Sequence, residues 1–406
     1  MIKHAFIVVG ANYGDEGKGL LTDYLSSLHD SSIVIRHNGG SQAGHTVVTS
    51  DSQRFVFGHI GSGSFCGKPT FLGPDFITNP MLFRKELKAF LDVPGRIRPQ
   101  VIASSKSIIT TPFDMLANQL IERSRGDERH GSCGTGIYET VTRSLWPDYT
   151  ISCKDIQTGE IVEKALAVKD HYFPQRMKEA GLKIPDIDLM ALYWDFLISS
   201  ERFKNDVSIV DDIDILKQYE ILIFEGAQGL LLDRNNATDY PHITPSHTGL
   251  YNPRCLLNSL GHKGASTAYY ITRFYMTRHG NGPMNKEFRC KESISSRVGD
   301  NTNLHNEWQG SLRFAPLDLD RLKDSIRIER TNFPEILFHK ICLTCMDQAD
   351  EEIPVVYKGM IHHVPKYVFK EYVEHHTETV CEFVSYGPTR RTMKRRLPLF
   401  DTTVLS

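Results

Sequence analysis

The sequence has no apolar run near the ~18 residues that a membrane-spanning helix needs, so no membrane span is expected. It has no excess of either charge. The 47 lysines and arginines against 49 aspartates and glutamates give a formal net charge of −2. A chain so balanced has no global attraction to nucleic acid or an anionic membrane, and neither is expected as a partner. Cysteine is sparse and scattered, at 66, 133, 153, 255, 290, 342, 345 and 381. Cys342 and Cys345 form a CxxC, but no second pair stands at zinc spacing. Reduced thiols in the cytoplasm are the expectation, and a structural zinc is not, because a set of four ligands lacks candidates. Met1-Ile2-Lys3-His4 runs straight into a strand-like segment, without the pattern of a signal peptide. No repeat, low-complexity segment or clear linker breaks the chain.

What is present is an ordinary globular composition, 40% hydrophobic and 24% charged over 406 residues. AFIVVG (5–10) reads as a buried strand, and helical spacing follows from Gly17. SSIVIRHNGG (31–40) is a second strand ending in a loop. Strand, turn, helix, strand predicts an α/β fold with a large, mostly parallel central sheet flanked by helices. Residues 80–92 and 112–125 read as helices, 126–136 as a loop, and 160–217 as a helical insertion. ILIFEGAQGLLLD (221–233), STAYYITRFYMTRHGNG (266–282) and FHKICLTCMD (338–347) repeat the pattern of a buried strand running into a polar loop. Such loops gather at the carboxyl edge of an α/β sheet, where ligands bind. One elaborated domain over 1–406 is expected rather than two.

The first turn, GANYGDEGKG (10–19), is P-loop-like without being a Walker A motif. Counting back from Lys18, the first position is Asn12 rather than glycine, and Gly19 replaces the magnesium-binding hydroxyl. Gly14, Gly17 and Gly19 still allow backbone N–H groups to approach a phosphate at a helix start. Lys18 can neutralise phosphate. Asp15 can hold magnesium or act as a base, or the two acids Asp15 and Glu16 can simply favour the helix N-terminus. His45 follows the glycine-rich loop HNGGSQAGHTVV (37–48), small enough around it to approach a ligand, and is a candidate acid.

GDEGKG followed by GGSQAGHT resembles the adenylosuccinate synthetase family, whose pattern is GDEGKG followed by GGxNAGHT. FEGAQGLLLD (224–233) is similar to the family's third signature, TRHGNGP (277–283) to its TRVGxGP, LTCMD (343–347) to its LTKxD, and SYGPTRR (385–391) to its STGPxR. The blocks stand in family order from residue 10 to residue 391.

The resemblance implies a ligase that joins L-aspartate to C6 of a 6-oxopurine nucleotide, after a nucleoside triphosphate has phosphorylated O6. It implies that Asp15 removes the purine N1 proton and ligates Mg2+ with the Gly44 carbonyl. His45 would donate a proton to the transferred phosphoryl group, Lys18 would stabilise its charge, and Gln228 would contact the purine. The monophosphate would lie on Gln42, Ser132, Cys133, Arg143 and Thr244. Arg143 would reach the partner subunit's site, which implies a homodimer. The triphosphate would lie on Gly14, Glu16, Gly17, Lys18, Gly19 and Thr46, with its base at Asp347, Ser385, Gly387 and Pro388. The chemistry agrees: an oxo group leaves poorly until phosphorylated, and its oxygen attacks poorly until N1–H is lost.

The chain departs from the family in four places. Gln42 replaces an asparagine; GTTGRGIGP reads GSCGTGIYE (131–139); Cys345 replaces a lysine. The aspartate-binding TTGRRRRxGWLD reads NEWQGSLRFAPLD (306–318), leaving Ser311 and Arg313 as the candidates for aspartate. Arginine pairs bidentately with carboxylates, so Arg278, Arg273 or Lys286 stand as possible substitutes. HNGGSQAGHTVV, GSGSFCGKPT (61–70) and QGSLRFAPLD (309–318) resemble the bacteriophage branch, part of which makes N6-succino-2-amino-2′-deoxyadenylate from dGMP, several with ATP or dATP. Many of that branch carry serine where this chain keeps Asp15, which favours IMP. Three readings therefore stand: a dGMP-directed ligase, an IMP-directed ligase using GTP, and a purine-nucleotide sensor without turnover.

Overall fold

The computed structural model describes residues 2–299, 303, 305 and 308–396. Its frame is a ten-stranded sheet. In chain order the strands are β1 (His4–Gly10), β2 (Ser32–Arg36), β3 (Thr70–Leu72), β4 (Val101–Ser104), β5 (Ser208–Val210), β6 (Ile221–Gly229), β7 (Ala265–Arg273), β8 (Phe338–Thr344), β9 (Cys381–Ser385) and β10 (Met393–Arg395). Their spatial order is β10-β9-β8-β7-β1-β6-β2-β3-β4-β5. All pairings are parallel except β9 with β10.

Alternation along β1 fills both faces. Val8 packs with Leu20, Leu21 and Leu25 of helix α1 (Lys18–Leu28), together with Ile223 and Ile271. Ile7 and Val9 pack on the other face with Leu256 and Leu257 of the helix Tyr251–Ser259. A parallel sheet buried on both faces needs such unbroken apolar strands, as AFIVVG is.

The expected helices form with the caps that their sequences carry. Helix α2 (Pro80–Leu91) starts behind Asn79, whose side chain accepts the Leu82 N–H at 3.1 Å. Helix α3 (Pro112–Ser124) starts with a capping box between Thr111 and Asp114. The stretch 160–217 is helical at Ile161–Ala167, Phe173–Glu179 and Leu189–Asp206, but it also supplies β5 at the sheet edge. Three residues are too short to carry a period, so this strand shows only in the tertiary pairing with β4.

A second sheet of four strands, Tyr275–Arg278, Arg313–Asp318, Glu352–Tyr357 and Met360–Pro365, stands beside the first. A ribbon of His45–Val48 with Arg54–Phe57 follows β2. Among the described residues no helix is long and apolar enough to cross a membrane.

Candidate active site

The loops at the carboxyl ends of β1, β2, β6, β7 and β8 surround one cavity of about 1040 Å³. The turn between β1 and α1 forms its floor. Gly14 (φ 115°), Asp15 (φ 60°) and Gly17 (φ 100°) all take positive φ, a conformation that glycine adopts freely and aspartate tolerates. Neighbouring strand ends hold the turn's carbonyls. Thr277 Oγ1 donates to Gly14 O at 3.2 Å, Arg273 Nε to Asp15 O at 2.6 Å and Thr344 Oγ1 to Glu16 O at 2.6 Å. Helix α1 begins behind Gly17 with no side-chain cap, so its first N–H groups are open to an anion.

The two acids of the turn part company. Glu16 is buried and folds back on the turn, accepting N–H from Asn12 at 3.1 Å and from Gly14 at 2.8 Å. Its other oxygen pairs with Lys18 Nζ at 2.8 Å. A Cβ at Gly10 would lie 2.3 Å from that carboxylate, so the glycine makes the space. The Glu16 side chain is therefore part of the scaffold, which corrects its expected contact with the triphosphate. The Gly14 N–H is likewise engaged inside the turn.

Asp15 instead faces the cavity, where its Oδ2 lies 2.9 Å from His279 Nε2. Burial alone would raise its pKa, but the His279 hydrogen bond and charge, with Arg273 and Lys18, hold it at about 2. The carboxylate stays ionised, as a base or a metal ligand must be.

His45 closes over the start of α1, where a Cβ on Gly19 would meet the His45 Cβ at 3.0 Å. Its Nδ1 donates to Glu225 Oε1 at 2.8 Å. Glu225 also accepts the Ser62 N–H at 3.1 Å and the Ser62 hydroxyl, and Arg36 stands 3.7 Å away. Burial pushes the Glu225 pKa up, yet the charges of His45 and Arg36 and the hydrogen bonds from His45 and Ser62 bring it down to about 2. With Nδ1–H donated to a carboxylate, the other ring nitrogen is the one left for substrate. His45 Nε2 is buried with no hydrogen-bond partner among the described residues.

Gln42, Gly44, Thr46, Ser132, Cys133, Gln228 and Thr244 also line the cavity. The amide oxygens of Gln42 and Gln228 are buried without partners among the described residues. A Cβ on Gly39 would meet Gln228 Oε1 at 3.1 Å and Gln42 Nε2 at 3.2 Å, so the two amides stand side by side. Asp347, Ser385, Gly387 and Pro388 line the cavity with Cys345. Ser385 donates its hydroxyl to Gly387 O at 2.6 Å, which shapes the loop. Arg390 Nε lies 3.3 Å from the buried Asp23 on α1, which ties this loop to the phosphate helix.

A family model described as adenylosuccinate synthetase matches residues 7–358. The adenylosuccinate synthetase of Clostridium botulinum is 32% identical over 334 residues, 80% of this chain and 75% of its own. That of Lactobacillus helveticus is 30% identical over 313 residues, 76% and 70% of the two chains.

The chain belongs to the adenylosuccinate synthetase family.

It is thereby a carbon-nitrogen ligase of purine biosynthesis that binds nucleotides. The fold agrees. The fully ligated adenylosuccinate synthetase from Plasmodium falciparum superposes with a TM-score of 0.74 at 20% identity, over 98% of this chain and 100% of its own. The cyanophage S-2L succinoaminodeoxyadenylate synthetase bound to dGMP and dATP superposes with a TM-score of 0.64 at 16% identity, over 97% and 96%.

Against the family expectation, three residues lie elsewhere. Arg143 is fully buried, paired with both oxygens of Asp114 at 2.9 Å and donating to Ile109 O at 2.6 Å. Its guanidinium holds α3 to the helix Ile137–Arg143 and is enclosed within its own protomer, which corrects its expected reach into a partner's site. Arg313 does not line the cavity; it pairs with Glu287 at 2.8 Å and donates to Gly280 O and Gly282 O. Ser311 lies beside His305, also outside the cavity wall, and Asn306 and Glu307 of the same loop lie outside the described residues. The possible substitutes are engaged too: Arg278 pairs with Asp239 at 2.7 Å, Arg273 holds Asp15 O, and Lys286 is not part of the wall.

Residue patterns missed Glu225 and His279, and they offered Arg273 for aspartate where it holds the Asp15 carbonyl. Glu225 sits inside FEGAQG, and a carboxylate in an otherwise apolar buried strand is a signal that could have found it. His279 stands where the family's TRVGxGP has valine, a signal that could have found it, but its partner is distant in the chain.

Proposed function

We propose that this ligase joins L-aspartate to C6 of a 2-amino-6-oxopurine nucleotide, dGMP, with ATP or dATP as phosphoryl donor, giving N6-succino-2-amino-2′-deoxyadenylate. The observation that carries the reaction type is the gathering of Asp15, Lys18, His45 and Gln228 on one cavity, with His45 backed by Glu225. In this reading Asp15 takes the N1 proton, and O6 attacks the γ-phosphorus as the nucleoside diphosphate leaves. The aspartate amine then attacks C6 and phosphate departs. Lys18 and the open end of α1 bind the phosphoryl oxygens. Burial lowers the pKa of His45 and the Glu225 carboxylate partly offsets it; in the ring protonated against that carboxylate, Nε2–H hands the phosphoryl oxygens a proton. The Asp15 carboxylate and the Gly44 carbonyl fit Mg2+, a hard cation that takes oxygen ligands and completes its shell with phosphate and water. When bound, the cation supplies neutralisation of phosphate charge.

The base assignment rests on the two unpartnered amide oxygens. Hypoxanthine offers N1–H alone at that edge, whereas guanine adds a 2-amino donor. Gln42 and Gln228 oxygens beside Asp15's turn are acceptors for it. The second reading is IMP with GTP, favoured by the retained Asp15 and by curated relatives named adenylosuccinate synthetase.

The test is a grid of turnover assays with L-aspartate and Mg2+, crossing dGMP, GMP, IMP and dIMP with ATP, dATP and GTP. Phosphate release and the ultraviolet change on succinylation report the product. Turnover restricted to IMP replaces the first reading by the second. Tight binding without turnover in every combination replaces both by the sensor.

A further inference from the structure

The contact between Asp15 and His279 joins two loops that are each fixed before they meet. Arg278, the residue before His279, is buried between Asp239 at 2.7 Å, His242 O at 2.8 Å and the Tyr13 ring, 4.1 Å from its centroid. On the other side Gly280 packs against Gly131, where a Cβ would lie 2.4 Å from the Gly280 Cα. Asn281 then donates to Asp127 O at 3.1 Å and Arg129 O at 2.9 Å. The imidazole thus emerges from a braced segment. Asp15 is braced as well, by its positive φ and by Arg273 on its carbonyl.

The two side chains meet at the cavity wall, each about a quarter exposed, rather than inside the core. An interaction so placed contributes little to stability. It does fix a torsion. The terminal torsion of an aspartate is broad, so an untethered carboxylate rotates freely. With Oδ2 held at 2.9 Å by His279 Nε2–H, Oδ1 has one direction.

We propose that His279 is a positioning residue for the base. Its imidazole holds Oδ2 of Asp15 so that Oδ1 faces the purine N1–H, and O6 phosphorylation depends on that contact. The inference rests on the ligase reading above but holds for either purine. Misplacing a reacting group by an ångström costs on the order of 100-fold in rate.

The experiment is positional isotope exchange in β,γ-bridge 18O-labelled ATP and GTP, with dGMP or IMP and Mg2+ but no aspartate, on the full chain. This reads reversible transfer to O6 apart from the later steps. In His279→Val, exchange should fall roughly 30- to 100-fold while nucleotide affinity stays within about 3-fold, because the purine contacts remain. In His279→Gln, whose amide N–H can reach the same oxygen, at least about tenfold of that loss should return. Exchange in His279→Val within about 3-fold of wild type would overturn the inference, as would an equal loss of exchange in the valine and glutamine variants. A wild-type protein that exchanges with no pair of nucleotides overturns the ligase reading and this inference together.

Discussion

Nδ1 of His45 stands 2.8 Å from Oε1 of Glu225, a carboxylate with no solvent exposure. The pair joins the start of the His45–Val48 strand to the middle of β6, and it decides which ring nitrogen serves the site. Glu225→Gln removes the charge that fixes this tautomer and leaves Arg36 without its nearest anion. Turnover should fall by about 10²–10⁴-fold, with nucleotide affinity retained. Steady-state assays beside nucleotide titrations check this; unchanged turnover would mean that His45 is not a proton donor.

Asp15→Asn separates an enzyme from a binder. The amide keeps the size of the side chain and loses the base. Turnover should drop by on the order of 10²–10⁴-fold while nucleotide still binds. Full turnover in the variant would remove Asp15 from the mechanism.

Glu16→Gln is predicted to act on folding. Lys18 and Glu16 are both buried at 2.8 Å, and removing one partner leaves an uncompensated buried charge. The expected loss is about 3–5 kcal/mol in denaturant unfolding. A loss of activity at undiminished stability would contradict the scaffold role.

Stability should also fall between weakly acidic and weakly basic pH through Glu329. Burial pushes its carboxyl up to about 7, only partly offset by the Leu250 N–H that donates to it at 2.6 Å. A raised carboxylate binds its proton more tightly in the folded state. Its contribution is therefore full below the unfolded pKa near 4.5 and is lost as pH rises through about 7. Glu329→Gln should gain about 1–3 kcal/mol over wild type on going from pH 5 to pH 8, read by chemical denaturation at each pH. A constant difference between the two proteins would refute the shift.

Much of the architecture was legible because it is local. AFIVVG reads as a buried strand and forms one, and the helices expected at 80–92 and 112–125 form at Pro80–Leu91 and Pro112–Ser124. The glycines of the first turn pointed to an anion site, and the ordered signature blocks pointed to the family. The edge strand β5 was not legible, since three residues inside a helical stretch acquire their state from pairing with β4.

The sequence by itself determined the strand–turn–helix frame and the family, because these follow from short-range spacing and motif order; the resemblance implied a shared site for Asp15, Lys18, His45 and Gln228, and the structure lines one cavity with them. Only the tertiary structure decided that Asp15 faces the cavity while Glu16 holds the turn. It alone enclosed Arg143 with Asp114 and brought His279 to Asp15 across 264 positions of chain, counting from 15 to 279. The physical reason is common to all three. A side chain's role depends on which partner fills its remaining hydrogen-bonding capacity, and here those partners come from other loops or from the direction in which a positive-φ turn throws adjacent residues.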